Sequence, residues 1–296
     1  MIDIGSYETR LKLAETIECD INDSCVDLYD DGHRTHLGAS SIGDSCSRKL
    51  WYQFRHVKKG FHVADGDHAG RMLRLWQRGH DQEILINNWL SNAGYKVQMI
   101  DPETQEQFRF KLVDGHFGGS CDGKVWLPDK FKYPDPLLLE IKTCKDGAAF
   151  NNYSKEGVKI HNPQYYTQMC VYGYAFNIQY CLFIVINKNN DKLYIEIVQL
   201  SKDGAEFAIE KADDIINHET ETGPNRVAMN PAFFSCKWCN FTNICHYQAA
   251  NEVEKNCRSC KYASPDINGT WLCNKFNNNI PKDFIEKGCN SHEPIT

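Results

Sequence analysis

The chain carries two charged residues inside an apolar stretch, Leu137-Leu138-Leu139-Glu140-Ile141-Lys142-Thr143-Cys144. A continuous apolar run of this length predicts a strand that is buried on both faces. Glu140 and Lys142 lie two residues apart, so both side chains point to the same face of that strand. A carboxylate and an ammonium group are costly to bury in apolar surroundings. The stretch therefore predicts either a buried ion pair or one wall of an active site.

A second carboxylate, Asp122, lies eighteen residues before Glu140. It belongs to the stretch Gly118-Gly119-Ser120-Cys121-Asp122-Gly123-Lys124-Val125. An Asp followed by Glu-x-Lys at the end of the next strand resembles the signature of PD-(D/E)XK nucleases. The resemblance implies that Asp122, Glu140 and Lys142 are catalytic. It also implies an open site for Mg²⁺ or Mn²⁺ made by Asp122, Glu140 and the carbonyl of Ile141.

Upstream of these residues, His80 and Glu83 lie three positions apart and share one face of a predicted helix. A single His on a helix is usually at the surface or satisfied within a core. The H-x-x-E spacing resembles the first motif of RecB-like nucleases, in which a His or Glu completes the metal shell. The resemblance implies His80 as a metal ligand, with Glu83 behind it or as the alternative ligand.

Downstream, Gln164, Gln168 and Tyr172 repeat every four residues and so line one face of a predicted helix. Alone, this pattern is equally typical of an amphipathic helix at the surface. It is also similar to the Q-x-x-x-Y motif that follows Glu-x-Lys in RecB-family nucleases. The resemblance implies that Gln168 and Tyr172 bind the scissile phosphate or the catalytic Lys142.

Taken together, the motifs resemble a RecB-like exonuclease of the type found in phages and in CRISPR-associated systems. The resemblance implies a deoxyribonuclease that depends on a divalent metal ion and acts in recombination, repair or phage DNA processing. A structure-specific or CRISPR-type end-processing endonuclease would use the same residues. A catalytically inactive DNA-binding or assembly protein on the same fold is the alternative from another class, and intact Asp122, Glu140 and Lys142 argue against it.

Three cysteines form a C-x₂-C-x₅-C motif at Cys236, Cys239 and Cys245. Iron–sulfur clusters of the 4Fe-4S type and tetrahedral zinc both require four ligands. Cys46, far upstream, is the natural fourth donor, and one distant Cys with this motif resembles the iron–sulfur staple of RecB-family nucleases. The alternative is zinc on the same four residues, or with His246 in place of one of them.

A second cysteine set lies near the end of the chain, in a segment that is rich in turns and low in apolar residues. A segment of that kind needs a metal or a similar clamp to fold. We therefore predict a Cys₄ zinc module, with a second iron–sulfur cluster or ligation by His292 as alternatives. Its predicted ligands are Cys257, Cys260, Cys273 and Cys289. The remaining six cysteines lack ligand spacing and are expected to be ordinary small residues.

The net charge of −6 does not favour nucleic-acid binding over the whole surface, so any DNA site must be a local basic patch. Basic residues are concentrated between Cys46 and His80. Trp51 or Tyr52 is a candidate for base stacking, and a solvated basic face beside core aromatics is the alternative. The candidates for phosphate contact are Arg48, Lys49, Arg55, Arg71, Arg74 and Arg78. The expected partners are linear DNA or single-stranded ends and a recombination or single-strand-binding protein.

The chain has no apolar run of the roughly 18 residues that a membrane helix needs. Its first residues also lack the pattern of a signal peptide. We therefore expect a cytoplasmic protein, in a bacterium or a phage-infected host, whose fourteen cysteines stay reduced. Clustered cysteines in that compartment indicate metal binding more often than disulfides.

The order of the predicted helices and strands favours an α/β (α+β) chain. The resemblance to PD-(D/E)XK nucleases implies a restriction-endonuclease-like core with a mixed central sheet flanked by helices, and the second cysteine set adds a small C-terminal metal module. An N-terminal extension (1–36), a nuclease domain (37–248) and the Cys₄ module (249–296) are the expected divisions. Loops or turns are expected at 30–32, 60–70 and 145–159. The predicted helices span about 7–18, 68–92, 163–176 and 204–218, with a short one beginning near Cys46. The predicted strands span about 95–100, 107–113, 121–127, 137–142, 180–187 and 192–199.

Overall fold

A computed structural model describes residues 5–29, 34–58 and 66–296. The predicted turn at 30–32 and most of the predicted loop at 60–70 lie outside the described residues. The chain divides into two compact units. Unit 1 comprises Met1–His33 and Lys59–Gln82, and unit 2 comprises Arg34–Lys58 and Glu83–Thr296.

The secondary structure alternates helices and short strands in the first half and ends in small elements. Its helices are α1 (Tyr7–Tyr29), α2 (Ser47–Phe54), α3 (Gly66–Asn92), α4 (Ala148–His161), α5 (Pro163–Phe176), α6 (Lys202–Ile216), α7 (Phe234–Lys237), α8 (Thr242–Tyr247) and α9 (Lys282–Ile285). Its strands are β1 (Leu37–Gly38), β2 (Lys96–Gln98), β3 (Arg109–Leu112), β4 (Phe117–Ser120), β5 (Gly123–Trp126), β6 (Leu137–Cys144), β7 (Tyr180–Asn187), β8 (Leu193–Gln199), β9 (Ala263–Pro265), β10 (Trp271–Cys273) and β11 (Asn278–Asn279).

Unit 1 contains α1 and the first part of α3. Helix α1 extends through Tyr29, beyond the predicted end near residue 18. Asn22 is buried, and its side-chain oxygen accepts a hydrogen bond of 2.5 Å from Arg74 Nη1. A side chain at Gly70 would place its Cβ 2.6 Å from the Asn22 Cα, so only glycine permits this approach of α3 to α1.

The centre of unit 2 is a five-stranded sheet in the order β2-β5-β6-β7-β8. Strands β6 and β7 pair in parallel, and the other neighbours pair antiparallel. Both central strands are buried, as their near-continuous apolar runs predict. With helices packed on its faces, this mixed sheet confirms the predicted fold class, an α/β chain with a mixed central sheet flanked by helices.

Alternation along β6 divides the core of unit 2 into two layers. Leu137, Leu139 and Ile141 pack on one face with Ile86 of α3. Leu138 packs on the opposite face within the larger cluster that includes residues of α2, α5 and α6. Glu140 and Lys142 share the side of Leu138 because they follow it at intervals of two. The charged pair therefore points toward the layer that contains α5.

The prediction of a loop at 145–159 is wrong, because α4 occupies most of that segment. Its buried side chains are Phe150, Tyr153 and Val158, which are separated by polar residues that conceal the apolar face in the sequence. Gly157 has a φ of 71° and interrupts the helical dihedrals within α4. Such a conformation is readily adopted by glycine.

The strand predicted at 121–127 is shorter in the structure, where β5 spans Gly123–Trp126 and does not contain Asp122. Strand β4 ends at Ser120 and strand β5 begins at Gly123, so Asp122 lies in the connection between them. Strand β4 belongs to a separate three-stranded sheet of order β1-β4-β3. The chain thus changes sheets at Asp122, which frees its side chain from the alternation of either strand.

The C-terminal residues form a third sheet of order β11-β10-β9. This segment is bonded to earlier parts of unit 2: Asn256 donates to the carbonyl of His56 at 2.8 Å, and His116 Nε2 lies 2.8 Å from the carbonyl oxygen of Asp266. Across the described ranges, no helix combines the length and the apolar character required to cross a membrane.

Candidate active site

Glu140 is an acid buried at the centre of unit 2, with an exposure of 1%. Its Oε1 accepts a hydrogen bond of 2.8 Å from Gln168 Nε2 and pairs with Lys142 Nζ. Its Oε2 has no hydrogen-bond partner among the described residues. Burial raises the pKa of Glu140 to about 7, and the charges of Asp122 and Glu83 add to this effect while Lys142 opposes it. The site thus holds an acid that is poised to bind a cation or a proton.

Lys142 supplies the positive charge beside this acid. Its side chain is 23% exposed, whereas that of Glu140 is 1% exposed, so the pair has one solvent-accessible end. Burial alone would lower the pKa of Lys142, but the carboxylates of Glu140 and Asp122 raise it above its usual value. The ammonium group lies 5.3 Å from the centre of the Tyr165 ring, within cation–π distance. Lys142 is therefore a fixed point charge at neutral pH.

Asp122 is held against the middle of β6 by a hydrogen bond to the main chain. Its Oδ2 accepts a bond of 2.7 Å from the N–H of Ile141. The ladder between β5 and β6 runs from Val125 to Gly123, which faces Leu139. The carboxylate therefore replaces the next strand partner of β6. The N–H and C=O of one strand residue point to the same side of the strand, so the Ile141 carbonyl is directed toward Asp122.

Helix α5 brings two polar side chains over the charged pair. The amide of Gln168 donates to Glu140 and also to the Tyr172 hydroxyl at 3.3 Å. Both residues are buried, and burial raises the pKa of Tyr172, with the charge of Glu140 adding to the shift. A side chain at Gly119 would place its Cβ 2.9 Å from Tyr172 Cε1. Glycine in β4 thus allows the tyrosine to enter this layer.

The two residues of the predicted H-x-x-E motif, His80 and Glu83, belong to different units. Glu83 lies in unit 2, close enough to Glu140 for its charge to contribute to the raised pKa of that acid. His80 is an exposed residue of α3 in unit 1. Its assignment as a metal ligand stays a prediction.

The part of the chain that is described contains no group of three or more His, Cys, Asp or Glu side chains in metal-binding geometry. Magnesium sites often use only one or two carboxylates and complete their shell with water and substrate phosphate. Asp122, the unpartnered oxygen of Glu140 and the Ile141 carbonyl fit that description.

The first cysteine set lines one cavity of about 600 Å³ in unit 2. Cys46 precedes α2, Cys236 lies in α7, and Cys245 lies in α8, with Cys239 between the last two helices. Burial raises the pKa of Cys236, and the nearby Cys46 and Cys245 raise it further. His246, the alternative ligand, lines the same cavity. The structure thus brings together all four predicted ligands from distant parts of the sequence.

The second cysteine set also comes together. Cys257, Cys273 and Cys289 line a cavity of about 920 Å³. Burial raises the pKa of Cys257 to about 11, and the charges of the other three cysteines, Cys260 among them, raise it further. His292, the alternative ligand, is engaged elsewhere, with its Nε2 2.9 Å from the hydroxyl of Ser259.

Several predicted DNA contacts do not face solvent. Arg55 is buried and donates to the carbonyls of Ala263 and Cys260, so it does not reach a phosphate in this structure. Trp51 and Tyr52 have an exposure of 0% and pack in the core, which excludes base stacking. These corrections have one cause. Helix α2 is a core helix, and because its aromatic side chains are buried, Arg55 directly after it is buried as well.

The other basic candidates fall into two groups. Arg48 donates to the carbonyls of Pro224 and Thr222 at 2.6 Å, and Lys49 pairs with Asp44 at 2.6 Å. Both therefore bind other parts of unit 2. The exposed candidates lie on α3 in unit 1, and their role stays a prediction. They are Arg71, Arg74 and Arg78.

Sequence reasoning did not identify Tyr165, whose ring lies beside Lys142. Tyr165 is three residues before Gln168 and so shares its helix face, which is the signal that could have found it. Sequence reasoning also missed the exposed aromatic side chains Phe234 and Trp238 at the first cysteine cavity. They occur within the cysteine motif region and have no periodicity of their own.

Solved structures similar to this chain are related to it only distantly. The crystal structure of SSO0001 covers 78% of this chain and 96% of its own at 14% identity, with a TM-score of 0.45. An alkaline exonuclease from Laribacter hongkongensis covers 61% of this chain and 86% of its own at 16% identity, with a TM-score of 0.39. Its complex with dAMP has the same coverage, 15% identity and a TM-score of 0.35. No family model and no curated protein matches the chain. The function must therefore be argued from the residues of the site.

Proposed function

We propose that unit 2 is a DNA nuclease that depends on a divalent metal ion and hydrolyses phosphodiester bonds at the site around Glu140. The observation that carries this proposal is the unpartnered Oε2 of a carboxylate buried to 1% exposure. A buried acid with one unsatisfied oxygen destabilises a fold, and ionisable groups with perturbed pKa values of this kind cluster at functional sites. Its neighbours are a second carboxylate and a fixed ammonium group, which is the composition required for attack on a phosphate.

Asp122, Glu140 and Lys142 have different roles in the proposed hydrolysis. Asp122 and Glu140 provide the negative charge that holds Mg²⁺ or Mn²⁺, with the Ile141 carbonyl as a further ligand. When bound, the metal ion polarises the phosphoryl oxygen and lowers the pKa of water. Lys142 stabilises the charge that accumulates on the phosphate oxygens while water forms the new P–O bond. The attacking water loses a proton to solvent, the bond from phosphorus to the leaving oxygen breaks, and that oxygen takes up a proton from solvent.

Gln168 and Tyr172 position this machinery from α5. Because the amide of Gln168 holds Oε1 of Glu140, the rotation of the carboxylate is restricted and Oε2 is directed away from that bond. The tyrosine hydroxyl fixes the amide in turn. Both residues are therefore proposed to orient Glu140, and Lys142 is proposed to contact the substrate through its solvent-accessible end.

Exonuclease activity on linear DNA is the finer proposal, in recombination, repair or phage DNA processing. It rests on the motif order described above. An endonuclease that processes ends would use the same residues. The two activities are therefore distinguished by which DNA substrates the protein cleaves. An inactive DNA-binding protein is disfavoured because Asp122, Glu140 and Lys142 converge at one place.

The test is a digestion of end-labelled linear duplex, single-stranded DNA and a covalently closed circle by purified protein with Mg²⁺ or Mn²⁺. We expect degradation of the linear substrates, loss of activity with a chelator and loss in Glu140→Gln. Glu206→Gln, which alters an acid on α6 paired with Lys202, is the matched control and should retain activity. Cleavage of the circle would favour the endonuclease. Equal activity in Glu140→Gln would refute the site.

We further propose that Cys46, Cys236, Cys239 and Cys245 hold a 4Fe-4S cluster. Four thiols that line one cavity match the number of ligands such a cluster needs. The cluster would join the segment before α2 to the segment from α7 to α8. It would therefore stabilise unit 2 in the manner of a crosslink across a long loop.

A further inference from the structure

Two arginine side chains are buried in unit 2, and neither is paired with an acid among the described residues. Arg55 and Arg258 have exposures of 1% and 2%. Arg55 donates to the carbonyl of Ala263 at 2.8 Å and to that of Cys260 at 2.7 Å. Arg258 donates to the carbonyl of Phe54, among other main-chain oxygens. Their hydrogen bonds are thus to neutral acceptors.

The charges of these two side chains lie close together. The ring of Trp271 contacts both guanidinium groups, with its centre 5.1 Å from Cζ of Arg55 and 4.8 Å from Cζ of Arg258. Within the described residues, neither arginine forms an ion pair with Asp or Glu. Buried charges are strongly destabilising unless they are paired. Negative charge near Arg55 and Arg258 would therefore stabilise the fold.

Two cysteines of the second set, Cys257 and Cys260, lie close to these arginines. Arg258 lies between Cys257 and Cys260 in the sequence, and the carbonyl of Cys260 accepts the bond from Arg55. Cys257 interacts electrostatically with Cys260, Cys273 and Cys289. The four cysteines are thus near one another, and Cys260 is near Arg55 of the buried pair.

The charges balance if the four sulfurs bind a divalent metal ion. Four thiolates carry four negative charges, and a zinc ion reduces this to a net charge of minus two. The two guanidinium groups carry plus two. With four neutral thiols instead, the arginine charges would have no counterpart.

We propose that Cys257, Cys260, Cys273 and Cys289 bind one zinc ion as a tetrathiolate site whose charge is balanced by the buried Arg55 and Arg258. Among the described residues, no three of these sulfurs already stand in metal-binding geometry, so binding draws them to a common centre. Three of the proposed ligands, Cys257, Cys273 and Cys289, line a cavity of about 920 Å³ that leaves room for that movement. The proposal is independent of the nuclease function.

The charge balance ties the C-terminal segment to the core. Arg55 follows α2, whereas the cysteines lie more than 200 positions later in the chain, as the separations of 205 and 208 residues for its two hydrogen bonds indicate. Zinc binding would therefore stabilise the packing of the C-terminal segment on α2 as well as the segment itself. Removing zinc would accordingly lower the stability of unit 2 as a whole.

The first experiment measures metal content and thermal unfolding of the full chain. We expect about one zinc per chain, lost in Cys273→Ser and Cys289→Ser and retained in the control Cys144→Ser. Chelation of zinc from the wild-type protein should lower its melting temperature. Absence of zinc after purification and zinc addition, iron that is lost in Cys273→Ser, or a melting temperature unaffected by chelation would each overturn the proposal.

The second experiment tests the charge balance by competition for zinc with a chromogenic chelator. Arg55→Met and Arg258→Met should bind zinc about 10- to 100-fold more weakly, as other changes around metal ligands do. Arg55→Lys and Arg258→Lys keep the charge and should bind more tightly than the Met variants. Equal zinc affinity in the folded Met variants and the wild type would refute the role of the arginines. If a Met variant does not fold, the zinc affinity of Arg55→Lys is compared with that of the neutral Arg55→Gln. Equal zinc affinity in these two variants would also refute the role of the arginines.

Discussion

Gln168 donates a hydrogen bond of 2.8 Å to the Oε1 of Glu140, joining α5 to the central strand β6. These residues are 28 positions apart and both are buried. The bond fixes a carboxylate whose other oxygen has no partner. The orientation of the proposed metal-binding oxygen therefore depends on a residue that is not itself among the proposed metal ligands.

Gln168→Leu should accordingly lower kcat more than it raises KM. A hydrogen bond to a charged group contributes about 1.5–3 kcal/mol, which corresponds to roughly a 10- to 100-fold loss if it acts in the transition state. Gln164→Leu is the matched control, because Gln164 lies on the same helix face but donates to the carbonyl of Ser40. Steady-state kinetics on linear DNA decide the matter. Equal kcat in both variants would contradict the positioning role.

The ion pair between Lys142 and Glu140 makes a second prediction about stability. Lys142→Met leaves a buried carboxylate without its cation, and breaking such a pair costs about 3–5 kcal/mol. The loss should be large at pH 8 and smaller at pH 5, where Glu140 is largely protonated because its pKa is raised to about 7. Urea unfolding at both pH values measures it.

The double variant Glu140→Gln with Lys142→Met is the control for that experiment. It removes both charges, so much of the stability lost in the single variant should return. A single variant with the same loss at pH 5 and pH 8 would show that packing, rather than charge, is responsible.

The site and the sheet differ in how far the sequence could predict them. The position of Glu140 and Lys142 on one face followed from the period of a strand, and Gln168 and Tyr172 from the period of a helix. The bond between Asp122 and Ile141 could not be foreseen, because it depends on where β5 leaves β6. Local patterns determine which side chains share a face, whereas the pairing of strands determines which of them meet.

The burial of Arg55 could not be predicted from the sequence. A basic residue near the start of the chain is usually solvated, and nothing nearby in sequence indicates burial. Its acceptors, Ala263 and Cys260, lie more than 200 positions away. Only the packing of the C-terminal segment shows that this guanidinium belongs to the core. Helix α4 was missed for a different reason, because polar residues separate its buried side chains Phe150, Tyr153 and Val158 and conceal its apolar face.

The raised pKa of Glu140 predicts a pH dependence of stability when metal is removed. The folded chain holds the proton up to about pH 7, because the pKa of Glu140 is raised to about 7, whereas the unfolded chain releases it near the ordinary glutamate pKa of 4.5. The contribution of Glu140 to stability is therefore present below pH 4.5 and is lost as the pH rises toward 7. The change amounts to roughly 3 kcal/mol.

The measurement is the free energy of unfolding from pH 4 to pH 8 with a chelator present. The difference between the wild type and Glu140→Gln isolates this residue from all other titrating groups. We expect the wild type to lose stability relative to the variant between pH 4.5 and 7 and to change little above that range. Glu206→Gln should follow the wild type, and a constant difference for Glu140→Gln would contradict the raised pKa.

The iron–sulfur proposal predicts brown protein with about four irons per chain when it is purified anaerobically. Cys239→Ala should lose the iron and the colour, because it removes one of four ligands in the cavity. His246→Ala should keep both if the fourth ligand is Cys46 rather than the histidine. Colourless protein that contains only zinc in the first cysteine set would instead support the zinc alternative.

The close approach of Gly119 to Tyr172 provides a test of the site in which every proposed catalytic residue keeps its chemical identity. In Gly119→Ala, the new Cβ would lie 2.9 Å from Tyr172 Cε1, and the ring must move. Because Tyr172 holds the amide of Gln168, the displacement should reach Glu140 and reduce activity. Overpacking of this kind also costs about 1–3 kcal/mol of stability. Gly79→Ala is the control, since its Cβ would meet nothing within 4 Å, and it should retain both activity and stability. If Gly119→Ala retained full activity at the same protein concentration, the contact between α5 and Glu140 would not be needed for catalysis.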